Sequence, residues 1–311
     1  MSNRPFRFGI AASTAATGLT WAETARHVES LGYSTLFVPD HFGDQLAPLT
    51  AVAMAAAATT SLRVGALVFD NDYRHPVVLA KEAATLDLLT EGRVEFGLGS
   101  GWKRTDYDES GISYDPPKVR VDRFCEAIDI IKGLWRDEPV THVGDHYRIS
   151  GLQGLPHPHT PGGPPLLIGA GGPRMLRFAG AHADIVGITA QIRSGEIDGD
   201  AARDSAPDRF DQKLRWLREG AGDRFDDLEL NALVFLANVT EDRDGVAAML
   251  APAFGVDPEM VRESPVVLAG TVEQICDDLL TRRDRWGLSY MVFEYESAEA
   301  MAPVVARLAG T

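Results

Sequence analysis

The chain has 311 residues, 45% of them apolar and 24% charged, with a formal net charge of -15. This length allows one large domain or two ordinary ones and excludes a small stapled fold, and the balance is that of a globular protein rather than a disordered or membrane one. The acidic excess argues against a nucleic-acid partner and against a membrane of anionic lipid, since both need a basic patch; an anionic ligand would need local dipoles and a few arginines.

The opening segment, MSNRPFRFGI, has no long apolar stretch and no small-residue cleavage pattern, so no secretory signal is expected and a cytoplasmic location is. Residues 6–13 read as the first strand. Thr20-Trp21-Ala22-Glu23 fits a capping box, and Ala25, Val28 and Leu31 mark the apolar stripe of a helix over 21–31 that Gly32 ends. The second strand, 34–40, closes in LFVPDHF, and a helix over 48–59 follows. Strand 63–69 leads to a helix over 76–90, with Pro76 in its first turn, one apolar face of Leu79, Ala83, Leu86 and Leu89, and a stop at Gly92. Strand 93–100 precedes a helix over 118–135, strand 165–171 one over 173–182, and strand 184–190 one over 208–220. Strand 229–239 is followed by a helix over 242–250 or by the longer stretch 271–286, which Thr271-Val272-Glu273-Gln274 opens as a second capping box. Strand 289–296 and a helix over 298–309 finish the pattern.

Eight strand candidates, each followed by a helix and most of them continuous apolar runs, predict parallel strands covered on both faces. The expected fold is an α/β, (β/α)8 TIM barrel forming one domain over residues 1–311; a doubly wound open sheet is the alternative. The surplus over a minimal barrel falls in a polar loop at 102–117, a small β-ribbon at THVGDHYRI, a Gly-, Pro- and His-rich stretch at 151–164, and insertions at 191–207 and 251–270. No apolar run approaches the roughly 18 residues that cross a bilayer. Cys125 and Cys276 lie in separate helical patterns, with no Cys or His at metal-ligand spacing, and are read as free buried thiols.

In such a barrel the chemistry sits where the strands end and the βα loops converge. Strand two ends on Asp40 and His41. An imidazole can take or give a proton near neutral pH, and a neighbouring acid could orient it or meet a ligand edge. Adjacent strand residues face opposite sides, so both can serve one site only if the strand has ended, and Pro39 makes that ending reasonable. The competing reading is a helix-starting Asp beside a surface His. Strand four ends in GLGSGW, whose Gly97, Gly99 and Gly101 would let a flat ligand approach the backbone, while Trp102 could stack on a ring or plug the mouth. Strand five runs through IGAGGPR straight into a helix, an arrangement equally suited to anion binding by free N–H groups and to a tight turn needing small residues. Asp106, Asp108 and Glu109 read as solvated loop charges, and His157 and His159 without a third ligand do not make a metal site.

Taken together, LFVPDHF, Arg74-His75-Pro76, GRVEFGLGSGW, PPLLIGAGGPRMLRFAGAHAD and LAGTVEQICDDL resemble, in order and along nearly the whole chain, the bacterial luciferase-like monooxygenase superfamily. The Asp-His pair after strand two is most similar to the branch using the deazaflavin coenzyme F-420; FMN is the alternative cofactor. The resemblance implies that Asp40 and His41 line the deazaflavin ring, with His41 the acid or base. It implies a non-prolyl cis peptide at Ala66 and Leu67 against the ring, Asn71 in contact with the cofactor, and Gly99 and Gly101 beside it. It further implies a phosphate held by Gly169, Gly171, Gly172 and Arg174. Trp102 stands where sugar-phosphate dehydrogenases of the superfamily carry a catalytic carboxylate, so it is assigned to the substrate pocket and a glucose-6-phosphate-type activity is not expected. The implied function is an F-420-dependent oxidoreductase acting on a small organic substrate, with a homodimer as the assembly. An FMN-dependent monooxygenase and a catalytically silent cofactor-binding protein are the competing readings.

Overall fold

Eight parallel strands pair edge to edge until the last meets the first. In chain order they are Arg7–Ala11, Thr35–Val38, Arg63–Ala66, Val94–Gly99, Leu166–Ala170, Ile185–Ile188, Glu229–Leu233 and Leu288–Glu294, called here the first to eighth strands. Closure is set by the register, in which Val64 of the third strand pairs with Val94 of the fourth and Arg7 of the first pairs with Tyr290 of the eighth. The fold is therefore a (β/α)8 TIM barrel, and an open sheet, which would leave two unpaired edges, is excluded. This computed structural model describes residues 4–192 and 194–311; residues 1–3 of the opening segment and Arg193 in the insertion at 191–207 lie outside them.

Both capping boxes form: Glu23 N–H donates to Thr20 Oγ1 at 3.3 Å while the Thr20 N–H donates back to Glu23 at 2.8 Å, and Thr271 and Gln274 repeat the exchange. Several expected strands are shorter in the structure, each for a physical reason. The second ends at Val38 because Pro39 has no N–H for the ladder. The third breaks at a cis peptide bond and resumes as Phe69–Asp70, which pairs with Leu98 and Gly99. The expected strand 229–239 leaves the barrel after Leu233; Leu236–Val239 instead pairs with Val267–Gly270, drawn from the insertion at 251–270. Both candidate helices of that connection form, as Arg243–Phe254 and Val272–Trp286. The ribbon pairs Val140–Val143 with Arg148–Leu152 in antiparallel register. The presumed polar loop at 102–117 contains a helix, Arg104–Ser110, because Asp106 and Tyr107 bury one side of it. Cys276 is buried, whereas Cys125 is only half-buried; both thiols are free. No helix among the described residues is long and apolar enough to cross a membrane.

Strand alternation sends every second side chain into the barrel, and the interior has two layers. The N-terminal layer is polar: Arg7 contacts Glu95 at 2.6 Å and Glu229 at 2.6 Å, Arg63 reaches Glu95 at 2.7 Å, and the Tyr290 hydroxyl donates to Glu95 at 2.9 Å. Burial first, and then the Glu95 charge, push the Tyr290 phenol well up, so it remains a neutral donor. Above this layer, Ala11, Phe37, Leu167, Ile185, Tyr290 and Val292 form an apolar interior cluster on which Leu67, Val68 and Leu233 pack. Two glycines of the fourth strand make room for that packing. A Cβ at Gly97 would lie 2.1 Å from the Ala66 carbonyl oxygen, and one at Gly99 would lie 2.7 Å from Val68 Cγ2. The glycines of GLGSGW thus admit another stretch of this chain against the wall, where a flat ligand was expected.

Candidate active site

Past Val38 the second strand delivers Asp40 and His41 to the C-terminal mouth, and the two go different ways. Asp40 is 4% exposed and accepts from both Nη atoms of Arg74, the Nη2 bond being 3.0 Å, and from the Asp70 N–H at 3.0 Å. It ties the end of the second strand to the segment beyond the cis bond, and most of its acceptor capacity is taken by protein. That cis bond joins Leu67 to Val68, one bond later than the expected Ala66–Leu67 position. Ala66 itself is fully buried, whereas Leu67 and Val68 are partly exposed at the mouth.

His41 turns the other way. Its Nδ1 lies 2.6 Å from Asp106 Oδ2, with the imidazole 24% and the carboxylate 4% exposed. The carboxylate accepts further from the Tyr73 hydroxyl at 3.2 Å and from the Phe42 N–H at 3.4 Å, and Lys103 Nζ stands 3.5 Å away. Asp106 is thus a buried partner of His41, correcting its reading as a solvated charge; Asp108 and Glu109 on the same short helix are exposed. A carboxylate on Nδ1 fixes the neutral ring with its proton there and leaves Nε2 as the acceptor. Nε2 has no protein partner among the described residues. Trp102 meets the imidazole edge-on, at 5.5 Å and 88°.

Beside this pair lies a buried cluster of acids. Asp70 is 7% exposed and accepts from the Tyr107 hydroxyl at 3.0 Å and the Asp72 N–H at 2.9 Å; Asp72 in turn holds Arg123 Nε at 2.8 Å. Burial is the main cause that pushes the Asp70 carboxyl up to about 7; the Asp72 and Asp40 charges add to it, against the Asp72 N–H and Tyr107 bonds. Gly101 permits the arrangement, because at φ 76° its missing Cβ would lie 1.8 Å from the Tyr107 hydroxyl. Asn71, next to Asp70, is 1% exposed, and its Nδ2 has no hydrogen-bond acceptor among the described residues.

Across the mouth, the fifth strand ends in Gly169, Ala170, Gly171 and Gly172. A Cβ at Gly171 would meet the Ala190 carbonyl oxygen at 2.6 Å, so the tight-turn requirement is real. Gly172 is the N-cap of helix Pro173–His182 and offers no side-chain cap, so first-turn N–H groups remain available as the anion-binding reading requires. Arg174 is half-exposed and its guanidinium is paired with Asp122, which Lys118 first and then Arg174 hold down at about 2. Among the described residues, no three His, Cys, Asp or Glu side chains converge as a metal site. Asp70 and Asp72 follow the end of the third strand, which places them at the mouth, but nothing in the sequence periodicity marks Tyr107, and its contacts and that of Arg123 with these acids are long-range.

A model of the luciferase-like monooxygenase family matches residues 5–206. Among curated proteins, an F-420-dependent glucose-6-phosphate dehydrogenase of Amycolatopsis mediterranei is 32% identical over 170 residues, which is 52% of this chain and 50% of that protein. The chain spans about half the length of the curated relatives it matches. Two solved structures each superpose over 98% of this chain and 98% of their own. The F-420-dependent tetrahydromethanopterin reductase from Methanopyrus kandleri has a TM-score of 0.77 at 18% identity, and an F-420-dependent secondary alcohol dehydrogenase in complex with an F-420-acetone adduct has 0.75 at 19%. At these identities the likeness is one of fold.

Proposed function

This chain belongs to the luciferase-like monooxygenase family, and within it we propose that the whole chain, acting as one barrel domain, is a coenzyme F-420-dependent oxidoreductase of a small organic substrate. The observation that carries the reading is the His41–Asp106 pair at the mouth, an imidazole oriented by a buried carboxylate with Nε2 left for a reacting proton. The F-420-dependent curated relatives support the choice of cofactor. The residues present fit such a group: the orphaned Asn71 Nδ2 is a buried donor in need of an acceptor, and Leu67 and Val68 offer an apolar wall. When bound, the deazaflavin would supply a ring carbon that gives or accepts hydride.

In this reading Leu67, Val68 and Asn71 hold the ring, Gly99 and Gly101 act from behind by making room for Val68 and Tyr107, Ala66 backs the ring from the core, and Asp40 acts mainly by bracing Arg74 and the Asp70 backbone. Gly169, Gly171, Gly172 and the free N–H groups of the following helix take the phosphate, with Arg174 leaving Asp122 to assist. His41 Nε2 accepts the proton of a substrate hydroxyl in one direction and returns it in the other, and Asp106 stabilises the imidazolium formed between. Trp102 bounds the substrate space beside His41. A homodimer would cover helices Pro48–Ala58 and Pro76–Leu89: the first carries no charged residue, and Met54, Val78 and Leu89 are 55%, 50% and 76% exposed.

Fluorescence titration with F-420 and with FMN tests the assignment. Tight binding of F-420 and weak or no binding of FMN is the expected result, and the reverse would refute it. His41→Asn should retain F-420 binding and lose turnover; unchanged turnover and pH profile would remove the proton-transfer role.

A further inference from the structure

On the eighth strand, Tyr290 reaches Glu95 inside the barrel and Val292 joins the interior cluster, so alternation places Glu294, two residues on, on the same inward side. It is the strand's last residue, paired with Ala11 of the first strand, and so belongs to the C-terminal mouth. Glu294 is exposed to solvent, yet the wall around it desolvates its carboxyl, and this first, with the Glu296 charge second, pushes it above the ordinary glutamate range. Among the described residues its carboxylate makes no hydrogen bond and no ion pair.

The cations of the strand-end loops are differently placed. Arg74 is held by Asp40, Lys103 by Asp106, Arg123 by Asp72 and Asp115, Arg174 by Asp122, and Lys213 by Asp204. Arg104 lies 4.5 Å over the Tyr114 ring. On the inward side of the mouth Glu294 is thus an uncommitted carboxylate, whereas Arg74, Lys103, Arg123, Arg174 and Lys213 are already held by carboxylates at short range.

We infer that Glu294 sets the charge of the substrate: the barrel takes an alcohol that carries an ammonium or further hydroxyl group for this carboxylate, and rejects phosphorylated and carboxylate-bearing molecules. The inference rests on the oxidoreductase reading and deepens it by naming the substrate class. A substrate ammonium beside Glu294 gains a charge-assisted hydrogen bond, whereas an anion meets like charge in a partly desolvated space.

The test uses the protein loaded with F-420 and three probes, trans-4-aminocyclohexanol, cyclohexanecarboxylate and glucose 6-phosphate, with binding measured by calorimetry. The wild type should bind the amino alcohol at least about tenfold more tightly than either anion. Glu294→Gln should shrink this ratio to near unity, and Glu294→Lys should invert it. If charge reversal disturbs folding, as read by thermal melting, Glu294→Gln alone decides. Equal ratios in wild type and variant, or no binding of any probe up to its solubility limit, overturn the role of Glu294. Failure of the wild type to bind F-420 at all overturns the oxidoreductase reading instead, so the two failures are distinguishable.

Discussion

Replacing Asp106 by Asn keeps the side-chain volume and removes the charge that holds His41. The carboxylate is 4% exposed and 2.6 Å from Nδ1, so the lost interaction is a hydrogen bond to a charged group in a dry setting. Such a bond is worth about 1.5–3 kcal/mol, which corresponds to roughly a 10- to 150-fold fall in any step that charges the imidazole. An amide at 106 can also turn its NH2 toward Nδ1 and so favour the other tautomer, with the proton on Nε2 where the substrate proton should arrive. Long-range 1H–15N NMR reads the tautomer directly and needs no substrate. The wild type should show a protonated Nδ1 and the variant a shift toward protonated Nε2, while F-420 binding persists. If D106N keeps the wild-type tautomer and turnover, the pair is a packing contact and the proton-transfer argument fails.

Arg74→Met should cost roughly 3 kcal/mol in urea unfolding, because it strands the 3%-exposed Asp40 carboxylate without its counter-ion; the partial exposure of Arg74 keeps the figure at the low end. A loss below about 0.5 kcal/mol, the range of ordinary surface substitutions, would show that Asp40 does not depend on Arg74. Asp70, pushed from 3.8 to about 7 by burial, binds its proton more tightly folded than unfolded. Its contribution to stability is therefore complete below pH 3.8 and is lost as pH rises toward about 7, a loss of up to about 4 kcal/mol in all. Asp70→Asn should flatten that slope, so melting temperatures of variant and wild type should diverge in the variant's favour between pH 5 and pH 8; parallel curves would refute it. Gly97→Ala would place a Cβ 2.1 Å from the Ala66 carbonyl oxygen. The strain should destabilise by about 1–3 kcal/mol and weaken F-420 binding by displacing Leu67 and Val68, and a variant with native melting and affinity would show that the wall yields freely.

The barrel, the two capping boxes and the address of Asp40 and His41 were legible in the chain because each is a short-range matter. Strand and helix periods, glycine stops and a proline without an N–H act over a few residues, and the barrel rule converts a strand end into a place on the active face. What those two residues do was not legible. Asp40 is bound by Arg74 and by the Asp70 backbone, 34 and 30 positions away, and His41 by Asp106, 65 positions away. The short helix that carries Asp106 has one buried side only because the strand ends around it supply Tyr73, Asp70 and Asp72 to cover it. The glycines of GLGSGW illustrate the same limit: sequence shows that side chains are missing there, and only barrel closure shows that Ala66 and Val68 fill the space. Local composition thus determined which elements form and which residues reach the mouth. The tertiary structure alone decided which charges are paired and which, like Glu294, are not, because pairing depends on distances between strands that only closure of the barrel sets.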